Sequence, residues 1–216
     1  VRPVRLGQHV YRLTICRGDT GYLKTFFTSQ LGAWDSRARA ELDKVRSKAE
    51  VERELPSLLV LHGFADEPKL LACAARVGCV SSSTLRDGLK RLRNELAFTF
   101  KTAVTEDDPK LRSVLATGFK DLVAETIAAR AAGDLRSQRW EHMLARLQER
   151  SGLSGRALFK PLRFALTGRL QGHDLRELVN LLELCEAGAP WNAEFVPLDH
   201  RISTLSDWLA SQHDDL

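Results

Sequence analysis

Basic side chains are concentrated, without any acid between them, in the segment SGRALFKPLRFALTGRLQGHDL at residues 154–175. The first carboxylate of this segment is Asp174, and the cations before it are Arg156, Lys160, Arg163 and Arg169. A solvated surface helix usually mixes charges of both signs, so this run of cations indicates a surface that meets negative charge. An arginine fork binds phosphate and can also read the edge of a base through paired donors. The residue types therefore permit contact with a nucleic acid.

The whole chain is only mildly basic. It has 216 residues, 44% of them hydrophobic, a formal net charge of +4 and a pI of about 9.0. This balance permits a nucleic-acid partner without requiring one, because the distribution of charge matters more than its sum. The longest apolar run, LPSLLVLHGFA at residues 55–65, is far shorter than the ~20 residues of a membrane span. We therefore expect no membrane association.

Residues that could support catalysis or bind a metal are scattered. No GxGxxG and no GxxxxGK[ST] phosphate loop occurs, and the histidines stand singly at positions 9, 62, 142, 173, 200 and 213. The acids Asp107 and Asp108 precede Pro109, which is typical of a helix start. The cysteines at 16, 73, 79 and 185 form no metal-binding spacing and are expected to be buried thiols. The sequence thus predicts no catalytic residues, no metal, no cofactor and no small-molecule substrate.

Apolar residues recur at helical spacing along most of the chain. HVYRLTIC allows one short strand and GYLKTFFTSQLG favours a short helix, and Asp35 is a candidate cap for a long helix that ends before Pro56. Leucine-rich periods with proline, glycine and acid boundaries predict further helices at 68–77, 85–100, 109–132, 139–150, from Asp174 onward, and near the C-terminus. These elements predict an all-α fold.

Several motifs within this helical pattern resemble one family. They are Trp140-Glu141-His142, Gly152-Leu153, the run Pro161-Leu162-Arg163-Phe164-Ala165-Leu166-Thr167-Gly168, and Gly172-His173-Asp174-Leu175. Together they resemble the C-terminal anticodon-binding region of glutamyl-tRNA synthetases, and LRDGLKRLRNELAFTF at 85–100 is similar to an upstream segment of that region. The resemblance covers about residues 80–212. It implies a helical bundle of the α-helix cage type at 80–216, preceded by a mostly helical extension at 1–79.

The resemblance also implies a set of RNA-binding residues. Arg163 and the turn at His173, Asp174 and Leu175 match the positions at which the family meets the last anticodon bases, and Arg86 matches the arginine that meets the first base. Lys160 and Arg169 would be phosphate contacts, which add salt-dependent affinity without specificity. Arg156 and Lys90 complete the predicted set. An alternative is structural, with Arg163 paired to a buried acid or bound to helix carbonyls and Thr167-Gly168 acting as a helix stop.

Two positions depart from the family pattern. His173 stands where the family has proline, which changes the geometry of the turn. Gly88 stands where the family has threonine, and a glycine weakens a helix interior by roughly 1 kcal/mol. Both departures bear on whether the chain reads an anticodon in the family's manner.

The motifs of a synthetase catalytic domain, a His-Ile-Gly-His-type sequence and a Lys-Met-Ser-Lys-Ser-type loop, do not occur in these residues. Three hypotheses follow. The chain is a stand-alone relative of the anticodon-binding region within a large RNA–protein assembly, with a mitochondrial ribosome preferred and a cytoplasmic or plastid location as alternatives. In the second hypothesis it is the tRNA-binding part of a genuine glutamyl-tRNA synthetase. In the third it is a protein–protein adaptor. The partners expected under the first hypothesis are RNA (rRNA or tRNA) and neighbouring proteins, and the basic start VRPVR suits either a processed targeting segment or an arbitrary boundary.

Overall fold

A computed structural model describes residues 3–6, 9–12, 40–62, 64–106, 108–115, 118–188 and 195–212. These residues are mostly helical, as the sequence predicted, and the chain divides into two compact units at 1–92 and 93–216. The predicted boundary at 79/80 remains a prediction. Within the described ranges no helix is long and apolar enough to span a membrane.

The first unit opens with a short antiparallel pair of strands. β1 (Pro3–Leu6) pairs with β2 (His9–Arg12), with Pro3 opposite Arg12 and Leu6 opposite His9. The strand predicted in HVYRLTIC is therefore present over its first half. The helix predicted in GYLKTFFTSQLG and the proposed cap at Asp35 lie outside the described residues.

The long helix predicted between Asp35 and Pro56 is interrupted. Residues 40–43 are helical, residues 44–47 are not, and α1 begins afresh at Lys48–Leu61. Ser47 and Glu50 form a reciprocal capping box that starts α1, with Ser47 N–H donating to Glu50 Oε2 at 2.8 Å. Pro56 lies inside α1 and does not end it. The sequence pattern was wrong here because a strong cap at Ser47 outweighs the continuous spacing of the small apolar residues before it.

Arg46 explains the interruption. Its side chain is buried, its Nη1 donates to the carbonyls of Glu41 and Lys44 at 2.7 and 2.8 Å, and its Nε donates to Glu54 at 2.9 Å. Its backbone N–H donates to Ser83 O at 2.7 Å. The guanidinium thus satisfies carbonyls where helical turns end, a capping role that side-chain donors take at helix C-termini.

The next two helices of the first unit cross at a pair of glycines. α2 (Pro68–Cys79) starts at Glu67, whose Oε2 accepts from Leu70 N–H at 2.6 Å, and α3 (Leu85–Leu96) begins in this unit. A Cβ at Gly78 would lie 2.9 Å from the carbonyl oxygen of Gly88 and 2.6 Å from Leu55 Cδ2. Only a glycine allows this approach of backbone to backbone. Gly88, a departure from the family pattern, is thus part of the packing of α1 and α2 against α3.

The second unit contains the last turn of α3 and the remaining helices, which follow one another through short connections. They are α4 (Phe100–Ala103), α5 (Pro109–Leu115), α6 (Phe119–Ala131), a 3₁₀ turn (Ser137–Arg139), α7 (Trp140–Ser151), α8 (Gly155–Thr167), α9 (Leu175–Gly188) and α10 (Leu198–Ser211). The single helix predicted at 109–132 is therefore two helices. Gly118, with φ of +67°, precedes α6 in a left-handed conformation that a continuous helix excludes.

Aromatic side chains form the centre of the second unit. Phe100, Phe119, Phe164 and Trp208 come from α4, α6, α8 and α10, and their ring centroids lie 5.3 to 6.4 Å apart in the contacting pairs. These are the separations and tilted geometries that aromatic pairs prefer. Leu178, Leu181 and Leu182 of α9 are also buried, as are Trp140, Met143 and Leu147 of α7. Cys73 and Cys79 of the first unit and Cys185 of the second are buried free thiols.

Candidate nucleic-acid interface

The basic segment at residues 154–175 forms α8 and the turn that follows it. α8 ends at Gly168, whose φ is +74° and whose N–H donates to Phe164 O at 2.7 Å. A Cβ at Gly168 would lie 2.5 Å from the backbone nitrogen of Phe100. The positive φ and this close approach both require glycine, so the end of α8 is fixed against the start of α4.

The basic side chains of α8 lie on its outer side. Arg156 is exposed, Lys160 and Arg163 are half-buried, and the inward side carries Leu158 and Leu162, which are fully buried. Positions 156, 160 and 163 fall on one face of an α-helix because they are separated by four and three residues. Among the residues that the structure describes, no carboxylate is paired with Arg156 or Lys160. The predicted cations therefore form one positive strip along α8.

A buried carboxylate lies beneath the end of this strip. Glu95 is 6% exposed, and its Oε1 accepts from the backbone N–H of His173 at 3.0 Å. A Cβ at Gly172 would lie 2.7 Å from Arg163 Nη1 and 2.9 Å from both carboxylate oxygens of Glu95. The guanidinium of Arg163 and the carboxylate of Glu95 therefore both lie close to Gly172. Part of the Arg163 side chain remains accessible, and its pairing with a buried acid stays a prediction.

The remaining residues of the turn are held by local bonds. Arg169 Nη1 donates to the backbone oxygen of Asn94, and Arg169 N–H donates to Thr167 Oγ1 at 3.0 Å. Asp174 Oδ1 accepts from Glu177 N–H at 3.0 Å and so caps α9, as the sequence predicted. Leu175 is 2% exposed, so this predicted RNA-binding residue belongs to the core and is not part of the accessible surface.

Arg201, which sequence reasoning missed, fixes the same end of the second unit. It is fully buried, and its donors reach Leu166 O at 2.7 Å, Val196 O at 2.9 Å and Leu96 O. Its guanidinium carbon lies 5.3 Å from the centre of the Phe98 ring, a cation–π distance. Burial, and then the charge of Arg169, lowers the pKa of Arg201 to about 10. The signal in the sequence is its position: arginine stands at helical core spacing between Leu198 and Leu205.

Arg86 and Lys90, the predicted residues of the first unit, lie one turn apart on α3. Arg86 donates through Nε and Nη2 to the two carboxylate oxygens of Asp43, the second contact measuring 3.1 Å. This two-point pairing uses the edge of the guanidinium that a base or phosphate would engage. Lys90 is exposed. The arginine matched to the first anticodon base is therefore already bound to an acid of the same unit.

Comparison with known proteins identifies relatives of this part of the chain. The sequence model of the anticodon binding domain matches residues 84–187. Curated relatives include glutamate–tRNA ligase 1 of Roseobacter denitrificans, 40% identical over 68 residues (32% of this chain and 15% of the ligase), and glutamate–tRNA ligase 1 of Zymomonas mobilis, 36% identical over 89 residues (41% and 19%). Glutamate–tRNA ligase 2 of Sphingopyxis alaskensis is 44% identical over 69 residues (31% and 16%).

The chain spans less than a fifth of the length of each of these relatives. No solved structure matches it significantly. The matched region contains α8, the turn after it and most of α9, which are the elements that carry the predicted motifs. Residues 84–187 are therefore an anticodon-binding domain homologous to that of glutamyl-tRNA synthetases.

Proposed function

We propose that this chain is a non-catalytic, RNA-associated structural protein derived from a synthetase anticodon-binding domain, and that it is a subunit of a mitochondrial ribosome. The observation that carries the proposal is the contrast between the basic side chains of α8 and Arg86 of α3. The acid-free strip of α8 keeps cations for phosphate, whereas Arg86, the candidate reader of the first base, is paired with Asp43. Affinity for an RNA backbone without base reading suits a chain that is built into a ribonucleoprotein.

The non-catalytic part of the proposal rests on motifs of nucleotide binding and aminoacylation that the sequence lacks. The nucleotide-binding and synthetase signature motifs do not occur in these residues. In the described part of the chain, no group of three potential ligands is arranged to hold a metal ion. RNA, as rRNA or tRNA, and the neighbouring proteins of the assembly are therefore the partners in this proposal, and the mitochondrial matrix is the proposed location.

The proposal is tested by native capture of the tagged chain from a fractionated cell, followed by gradient sedimentation and identification of RNA and proteins. We expect the chain in the mitochondrial fraction and in the gradient with a ribosomal subunit and its RNA. A doubly neutralised variant, Arg156→Ala with Lys160→Ala, is the matched comparison, because these exposed or half-buried side chains hold no described partner. Sedimentation of the wild-type chain free of any large assembly would overturn the proposal.

The second candidate is the tRNA-binding part of a genuine glutamyl-tRNA synthetase. The homology to glutamate–tRNA ligases and the position of Arg163 beside the ordered turn at His173 favour it. In the same capture experiment this candidate predicts free tRNA of one identity together with a catalytic chain. Capture of proteins without any RNA would instead support the adaptor hypothesis.

A further inference from the structure

One aromatic ring on α8 is unusually placed. Phe159 is 39% exposed, and the other large apolar side chain exposed in the described residues is Val45 of the first unit. The remaining phenylalanines of α8 and of its neighbours in the aromatic core, Phe164, Phe100 and Phe119, are at most 1% exposed. An exposed phenylalanine is no benefit to the folded chain alone, since its ring would gain by leaving water. Single exposed apolar side chains are common on protein surfaces, so the meaning of this ring depends on the charges around it.

The ring lies within the positive strip. With about 100° of turn per residue, positions 156, 159, 160 and 163 fall within an arc of roughly 100° on the surface of α8. The helix is held in place from its opposite side, where Leu158 and Leu162 are fully buried. Phe159 is therefore presented on a fixed element, with Arg156, Lys160 and Arg163 around it.

Charge identifies the kind of molecule that would cover this ring. Residues 150–173 contain no aspartate or glutamate, so the only charged residues that α8 itself offers to a partner are cations. Cations beside an exposed aromatic ring form the combination that holds single-stranded nucleic acid, in which phosphates meet the charges and a base stacks on the ring. A mostly apolar protein partner would leave these charges desolvated without counter-charges.

We propose that Phe159 is a stacking platform for one unpaired base of a single-stranded RNA segment, while Arg156 and Lys160 bind the phosphates on either side of that base. This inference rests on the RNA binding proposed above and adds a residue outside the set carried over from the family. Stacking on an aromatic ring tolerates any base, because every base presents a π face. The platform thus adds affinity without sequence preference.

The test is a titration of the full chain with a labelled, unstructured RNA about 12 nucleotides long, followed by fluorescence anisotropy at several salt concentrations. Phe159→Ala should weaken binding by about 5- to 150-fold at every salt concentration, while Phe159→Tyr should bind as the wild type does. Lys160→Ala should instead lower the slope of log K against log salt by about 0.7. Circular dichroism checks that each variant is folded, and Val45→Ala is the matched exposed apolar control.

An RNA of equal length without bases separates stacking from charge. Wild type and Phe159→Ala should bind this abasic strand equally, because its phosphates are unchanged. Phe159→Ala binding normal RNA as tightly as wild type, with Lys160→Ala weakened, would overturn the platform and leave RNA binding intact. The platform would also be overturned if Phe159→Ala kept its RNA affinity but lost a protein partner in the native capture described above. Failure of the wild type to bind RNA even at low salt would overturn both the platform and the proposed function.

Discussion

The two regions that carry the candidate base-reading arginines differ in where their acids lie. On α3, Asp43 meets Arg86 at the surface, where both side chains are about half exposed. On α8, the acid beside Arg163 is Glu95, which is buried and also binds the backbone of the turn. A surface acid competes with RNA for the arginine, whereas a buried acid adds no negative charge to the outer side of the helix. The same residue type therefore has a different capacity for RNA in each place.

Among these variants, Arg201→Ala should have the largest effect, and the quantity it changes is the stability of the second unit. Arg201→Ala leaves the carbonyls of Leu96, Leu166 and Val196 without their buried donor. We expect the free energy of unfolding to fall by at least about 3 kcal/mol, since each buried group left unsatisfied costs about 1 to 3 kcal/mol. Urea titration followed by circular dichroism measures it. Arg86→Ala, which removes an exposed pair, should change stability by less than about 1 kcal/mol. Equal losses from the two variants would contradict the contrast.

Neutralising the α8 strip should have the next largest effect. The double variant Arg156→Ala, Lys160→Ala should lower the slope of log K against log salt by about 1.4 for single-stranded RNA, because two phosphate contacts are lost. Arg86→Ala should leave the slope nearly unchanged, since Asp43 already neutralises that arginine. Filter binding at several salt concentrations distinguishes them. A larger slope change from Arg86→Ala would reverse the assignment of the two regions.

Gly172→Ala tests the buried acid directly. The added methyl would meet Arg163 Nη1 at 2.7 Å and the Glu95 carboxylate at 2.9 Å, so these side-chain ends must move apart. We expect several-fold weaker RNA binding with an unfolding midpoint close to that of the wild type, because only the ends of flexible side chains are displaced. Gln171→Ala is the comparison, since it changes the exposed neighbouring residue without adding an atom beside Arg163 or Glu95. RNA affinity unaffected by Gly172→Ala would remove Arg163 from the interface.

Releasing Arg86 should have the smallest effect. Asp43→Asn removes the charge that pairs with Arg86 and should raise affinity for RNA about two- to fivefold at low salt, an effect the size of one exposed ion pair. The gain should vanish in the double variant Asp43→Asn, Arg86→Ala. Parallel titrations at low and high salt measure it, because screening should abolish the gain. A gain far above tenfold would mean that Arg86 is a strong RNA-binding residue that Asp43 covers.

Local pattern predicted the helices of the second unit well, because helix caps and leucine spacing are properties of neighbouring residues. The helix predicted at 139–150 is present as α7, and α9 begins at the cap of Asp174. The interruption at Gly118 was missed, since one glycine within leucine spacing does not reveal its φ.

The partners of the candidate site could not be predicted in the same way. Asp43 and Arg86 are 43 residues apart, Glu95 and His173 are 78 apart, and Leu96 and Arg201 are 105 apart. No periodicity in the sequence links such positions, because tertiary packing alone brings them together. The family motif located Arg163 and Arg86, but it carried no information about the acids that decide their electrostatic state.

The glycine crossing in the first unit has a consequence for engineering by transplantation. A Cβ at position 88 would already be 3.3 Å from Leu55 and 3.4 Å from Val51, and a threonine would add γ atoms beyond it. If α1 and α2 were fused to an anticodon-binding domain that has threonine at this position, the threonine side chain would therefore clash with α1. Gly88 leaves the space into which α1 and α2 pack. Moving these two helices to another domain therefore requires a glycine at the matching position of that domain.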